Sequence, residues 1–226
     1  MKTKLEGIDY FKLLKRIEAE IVFIGERAGE GKFLAIRHDV DHSIEHAFDF
    51  AEQEHGKGIF STYFLLDTEE YFDYTAKFAK QCHKFIELGH RLGWHNNVLA
   101  QHIKTGTDPH ELIAKPLKFL SDNGIEIKGS SSHGDSIFYN THTTNYFIWN
   151  FIPMKDYGLE WEAYFLPRDC YLSDSGAKWQ GGLEKTSTFE KGNEGDIQNA
   201  YKIIDNFNAL PEGLMQLLVH PCWWEK

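Results

Sequence analysis

The chain has 226 residues, of which 42% are hydrophobic and 15% aromatic, enough to bury one substantial core and too apolar for a disordered chain. Its formal charge of -10, from 34 acidic against 24 basic residues, argues against a nucleic-acid partner, because a phosphate backbone needs a basic face. That charge says little about a neutral sugar or another small molecule.

One domain over residues 1–226 is expected at this length. Residues 1–6 include lysines but no apolar stretch follows them, and no run is long enough to span a bilayer, so a cytoplasmic protein without a membrane span is expected. The sequence does not bear on oligomeric state. Cys82, Cys170 and Cys222 are odd in number and lack C-x-x-C spacing, which predicts reduced, mostly buried thiols rather than a disulfide framework or a thiolate zinc site.

In chain order, Asp9 to Ile17 places apolar residues at helical spacing and predicts an amphipathic helix ahead of the first strand. Gly29 and Gly31 mark the turn that follows. The run Phe33-Leu34-Ala35-Ile36-Arg37-His38-Asp39-Val40-Asp41-His42 is apolar until it meets two carboxylates flanked by imidazoles, and it reads as a buried strand. Side chains alternate across a strand, so Asp39 and Asp41 fall on one side and His38 and Val40 on the other. Two carboxylates this close favour a bound cation or a retained proton, and either suits chemistry. The plain alternative is a polar strand end facing water, and this segment alone does not choose between them.

Ser43 caps a helix from Ile44 to about Glu54, with Ala47, Phe48 and Ala51 inward, His46 and Asp49 solvated, and Gly56 ending it. Ile59 to Leu66 is the second strand, rich in aromatic and branched residues. A helix from about Tyr71 to Leu88, closed by Gly89, leads to a third strand, His90 to His95, which delivers His95 into the loop at Asn96-Asn97. This order predicts parallel strands covered by helices. Asp108 and Pro109 start a helix that runs to about Asp122, kinks at Pro116 and stops at Asn123-Gly124. Ile125 to Ser131 is the fourth strand and delivers Ser132-His133-Gly134-Asp135.

Tyr146 to Trp161 has no clear period and is expected to be irregular with some strand. Glu162–Leu166 and Cys170–Ser173 read as short strands, the second delivering Asp174. Gly176 to Gly195 is a polar, glycine-rich loop. Asp196 starts the last helix, through about Asn208, and Leu214 to Val219 is the final strand, delivering His220.

In a parallel barrel or a doubly wound sheet, residues just after each strand collect on one face. Asp39, Asp41, His95, His133, Asp174 and His220 all occupy such positions. A carboxylate and two imidazoles with an open position form a common donor set for catalytic zinc. Each histidine taken singly is explained as well by a hydrogen-bonded strand end, but the whole set at successive strand ends points to a site.

At Arg37-His38-Asp39-Val40-Asp41, Leu92-Gly93-Trp94-His95, Ser132-His133-Gly134, Ser173-Asp174-Ser175 with Trp179, and Leu218 to Trp224, the sequence resembles the polysaccharide deacetylase family, the NodB-homology carbohydrate esterases, in a divergent branch with an HDVD strand end. The resemblance implies an α/β fold, a distorted (β/α) barrel of about seven parallel strands. It also implies a divalent metal, usually zinc, used to hydrolyse an N-acyl group, commonly N-acetyl, from an amino sugar or polysaccharide precursor, either a small molecule or an oligosaccharide. On this pattern Asp39 is the general base, Asp41 a metal ligand, and His95 the first histidine of an H-S/T-x-x-H motif whose second position is here Leu99. His133 is then the leading third ligand, with His102 in the loop after His95 next, or water alone. His220 matches the late general acid and Asp174 the carboxylate that orients it.

Trp94, Trp179, Trp223 and Trp224 could stack on sugar rings, Trp179 best placed among them, with core packing as the alternative. Two other readings stay open. One is a hydrolase of a different C–N bond, in a cyclic imide or ureide. The other, favoured by the missing second motif histidine, is a catalytically silent carbohydrate-binding homologue.

Overall fold

The strand β2 (Lys32–Val40) is buried along nearly its whole length, and a strand covered on both faces belongs in the middle of a sheet. The structure is a computed structural model that describes residues 9–26, 29–184 and 197–224. Its other elements are α1 (Tyr10–Leu14), β1 (Glu20–Val22), α2 (Ile44–His55), β3 (Thr62–Leu66), α3 (Ala76–Glu87), β4 (Arg91–Asn96), α4 (Val98–Thr105), α5 (Pro109–Asp122), β5 (Gly129–Ser132), β6 (Trp161–Glu162), β7 (Cys170–Ser173), β8 (Gln180–Leu183), α6 (Ile197–Asn208) and β9 (Gly213–Val219).

These strands form a sheet in the order β6-β5-β4-β3-β2-β9-β7-β8, with β1 beside the first half of β2. Among the described residues all pairs are parallel except β7 with β8. The expected α/β architecture is present, but the sheet is mixed rather than wholly parallel, and among the described residues it runs from β6 to β8 without closing into a barrel. The reversal has a local cause, since residues 174–179 are too few for the crossover a parallel neighbour needs.

The sheet nevertheless curls. Phe64 on β3 and Trp161 on β6 belong to strands separated by β4 and β5, yet their ring centroids are 6.1 Å apart. Between them lie Gly93 and Gly129, where a Cβ would fall on the Phe64 and Trp161 rings respectively. Missing side chains on β4 and β5 therefore let two aromatic rings fill the concave face. Arg37 and Asp39 point into this concavity, while Leu34, Ile36 and Val40 pack on the outer face against the helices.

His38 also points outward. Its Nε2 lies 2.9 Å from Glu54 of α2, and the same buried carboxylate accepts from Tyr10 Oη at 2.5 Å, Ser61 Oγ at 2.7 Å and Tyr63 Oη at 2.9 Å. A charge buried without such donors would be untenable.

Several elements differ from expectation. α3 starts at Ala76 rather than Tyr71, because Tyr74 adopts φ 57° and Thr75 caps the helix by accepting from Phe78 N–H. α5 runs unbroken through Pro116. His46 and Asp49 are half-buried rather than solvated. The segment from Tyr146 to Trp161 forms two short 3₁₀ turns and enters β6, so the expected strand at Glu162–Leu166 keeps only its first residue. β1, α4 and β8 were not foreseen. Asp196 and most of the expected loop, residues 185–195, lie outside the described residues. Cys82 and Cys170 are buried thiols outside any disulfide, and no helix among the described residues is long and apolar enough to cross a membrane.

Candidate metal centre

Parallel pairing puts the ends of β2, β4, β5 and β9 along one edge of the curled sheet, with β3 between β2 and β4, and each of the four ends carries a polar residue. His95 on β4 is opposite Ser131 on β5 and turns its Nδ1–H to the Ser131 carbonyl at 2.8 Å. That bond fixes the tautomer and leaves Nε2 with a lone pair facing the concavity. One residue past β5, the His133 N–H donates to Asn96 O at 2.9 Å. The turn brings His133 Nδ1 to 3.2 Å from His95 Nε2. Asp41 Oδ1 lies 3.3 Å from His95 Nε2 and 3.5 Å from His133 Nδ1.

Three donor atoms thus form a triangle with edges of 3.2 to 3.5 Å. Bonds of about 2.0–2.2 Å at tetrahedral angles span donors about 3.3 Å apart, so the residues fit a zinc-like cation. Asp41 Oδ1 is also buried and accepts no well-aligned hydrogen bond among the described residues. An oxygen left in that state is what a cation would satisfy. Asp41, His95 and His133 can therefore hold a metal ion.

The electrostatics agree with this. Burial works against charge on Asp41, but the imidazoles of His133, His95 and His220 outweigh it and hold the carboxyl well below its usual range. Burial likewise disfavours a charged His95, yet Asp39 and Asp41 raise its pKa above the ordinary value. A proton at Nε2 relieves the carboxylates from one side only, whereas a divalent cation serves all three donors.

Two further pairs flank the triangle. Asp39 Oδ1 and Oδ2 accept from Arg37 Nε at 2.8 Å and Nη2 at 2.6 Å, and its Oδ2 is 3.5 Å from His95 Nε2. Burial opposes the Asp39 charge, but the guanidinium holds its pKa below the carboxylate norm. In the second pair His220 Nε2 is 3.8 Å from Asp41 Oδ2, and His220 Nδ1 is 2.6 Å from Asp174 Oδ1. Asp174 also accepts from the His220 backbone N–H at 3.0 Å and from Trp224 Nε1 at 2.8 Å, which locks it beneath the imidazole. Burial disfavours the imidazolium, yet the charge and hydrogen bond of Asp174, aided by Asp41 and Asp39, push the His220 pKa up to about 9. These groups open on a cavity of about 610 Å³, also bordered by Tyr139, Tyr164 and Trp223.

The structure brings together Asp39, Asp41, His95, His133, Asp174 and His220. It does not bring in His102. The segment expected to be a loop after His95 is the helix α4, which turns His102 to solvent, where its Nδ1 is 2.9 Å from Thr107 O. Leu99, at the motif's second histidine position, packs into an apolar cluster with Trp94 and Ile113. Three tryptophans are also corrected. Trp94 is buried with Nε1 donating to Asp67, Trp179 is buried against Trp224, and Trp224 is buried over Asp174. Trp223 lines the cavity.

Sequence reasoning assigned no role to Arg37, although its position two residues before Asp39 puts both on one strand face. Tyr164, from a segment read as strand, gave no usable signal.

No protein-family model matches the chain, and no curated protein does. Solved structures similar to it include a CE4 esterase from Streptococcus mutans, 14% identical over 84% of this chain and 74% of that one, with a TM-score of 0.47. A peptidoglycan N-acetylglucosamine deacetylase is 14% identical over 94% of this chain and 81% of that one, TM-score 0.45. A CE4 family pseudoenzyme from Bacillus anthracis is 11% identical over 92% of this chain and 60% of that one, TM-score 0.43.

Proposed function

We propose that the protein is a metal-dependent hydrolase that removes an N-acyl group, foremost N-acetyl, from an amino sugar or a carbohydrate precursor containing one. The observation that carries this reading is the triangle of Asp41, His95 and His133 with two ionisable groups beside it, Asp39 at 3.5 Å from His95 Nε2 and His220 at 3.8 Å from Asp41 Oδ2. Zinc suits a set of one carboxylate and two imidazoles, and a divalent ion there would supply Lewis acidity at the acyl group. The amino-sugar part of the reading rests on the sequence motifs.

The chain's own residues supply the proton transfers. Asp39 is ionised at neutral pH, and Arg37 fixes its plane while each oxygen keeps a lone pair for a water. It takes a proton from that water as the oxygen attacks the acyl carbon. His220, charged at neutral pH, donates its Nε2 proton to the departing nitrogen as the C–N bond breaks. Asp174 keeps the imidazole oriented and stabilises its charge. Products are a carboxylic acid and a free amine, and solvent restores both protonation states.

The test is acetate release from N-acetylglucosamine and its short oligomers by the zinc-loaded protein, with Asp39→Asn as control. Ion-dependent release that Asp39→Asn abolishes supports the reading. Absence of acetate release together with ring opening of a cyclic imide or ureide would overturn it.

A further inference from the structure

Asn145 is fully buried, outside the donor triangle, yet every polar atom of its side chain is engaged around His133. It opens the 3₁₀ turn Asn145–Asn150. One amide proton goes to His133 O at 2.8 Å and the other to Asn97 Oδ1 at 2.8 Å, while Oδ1 accepts from Ala100 N–H at 3.0 Å. Asn97 is the N-cap residue of α4, but its own side chain makes no capping bond there. Its amide donates instead to Asp135 Oδ2 at 2.9 Å. Asn145 therefore caps α4 from outside and ties the chain just past β4, the strand of His95, to His133 itself, the first residue after β5.

His133 needs such a fixture. It lies beyond the last residue of β5, where the ladder no longer constrains it, and its side chain is 22% exposed while that of His95 is 2% exposed. His95 is set by its own ring hydrogen bond to the sheet. His133 is held through its backbone, by Asn96 O at its N–H and by Asn145 at its carbonyl. Asp135 completes the turn: its N–H donates to His133 O at 3.2 Å, and its carboxylate is held by Lys104 Nζ at 2.6 and 2.8 Å and by Asn97.

We infer that Asn145 is a positioning residue for the third metal donor, presetting His133 Nδ1 against Asp41 and His95 through its bonds to His133 O and Asn97. This rests on the metal-site reading above and assigns Asn145 no contact with ion or substrate. Outer partners that orient donors are commonly worth about 10–100-fold in metal affinity.

The experiment is a chelator-competition titration of zinc into the metal-free full chain, for the parent, Asn145→Ala, His133→Ala and the double variant. Asn145→Asp is added because its Oδ1 still serves Ala100 N–H and so keeps the α4 cap, while the donors to His133 O and Asn97 are lost. The cobalt-loaded spectrum of each variant reports donor geometry independently of turnover. The inference predicts about tenfold weaker zinc for Asn145→Ala and for Asn145→Asp, with an altered cobalt spectrum, and no further weakening when Asn145→Ala is added to His133→Ala. Parent-like zinc affinity in Asn145→Asp, or equal weakening with and without His133, would overturn it. A parent chain that binds no zinc would overturn the metal reading itself, an outcome distinct from either of these.

Discussion

Arg37 and Asp39, two residues apart on one face of β2, form a bidentate ion pair with 0% and 2% of their side chains exposed. The guanidinium fills the space under the active face, with Phe64 and Tyr164 within 5.6 and 5.0 Å of its central carbon. A carboxylate held this way is rigid and charged. Removing Arg37 leaves the buried Asp39 carboxylate without its counter-charge, so Arg37→Met should cost about 3–5 kcal/mol in urea unfolding. Arg16→Met, which removes the exposed pair with Asp205, should leave stability nearly unchanged.

Asp39→Asn should keep ion binding, because Asp39 is not one of the three donors, and should lower kcat by about 10²–10⁴-fold. Metal content by elemental analysis beside kcat checks both halves. Loss of the ion would move Asp39 from the proton-transfer role to the ligand role.

In the proposed reaction His220 donates as an imidazolium, so the rate should fall as pH rises through its pKa. With Asp174 beneath it that pKa is about 9. Asp174→Asn removes the charge and keeps an acceptor oxygen, so the alkaline limb of the kcat/KM profile should move down by about 1–3 pH units. An unmoved limb would detach His220 from the reaction.

Glu54 lies on the far side of β2 from the cavity and tests the fold rather than the chemistry. Burial alone would raise its pKa, but His38 and the hydroxyls of Tyr10 and Ser61 hold it below the ordinary glutamate value. A depressed folded pKa means its stabilisation is present above the unfolded value of about 4.3 and is lost as pH falls through the folded one. Glu54→Gln should cost about 3 kcal/mol near neutral pH, because one amide cannot satisfy the same donors. The gap from the parent should narrow below about pH 4 in urea unfolding at stepped pH.

What was legible in the sequence follows from where local signals decide structure. β2 and β9 are largely apolar runs that end in polar residues, β4 sets Leu92 and Trp94 ahead of His95, and α2 carries its own cap in Ser43, which accepts from His46 N–H. Those elements place Asp39, Asp41, His95 and His220 at strand ends from local pattern alone. α4 was missed because its cap arrives from Asn145, 45 residues away from Ala100. β8 was missed because Gln180-Gly181-Gly182-Leu183 has no strand pattern and is ordered by pairing with β7. Trp179 was misplaced for the same reason, its polar neighbours hiding a ring that belongs to the core.

In the proposed function Asp41, His95 and His133 together hold one divalent ion, with Asp39 and His220 beside it. Zinc titration of the metal-free parent and of His95→Ala decides whether they do. One tightly bound equivalent in the parent and none in His95→Ala is the predicted result. Zinc held by His95→Ala as tightly as by the parent would contradict it.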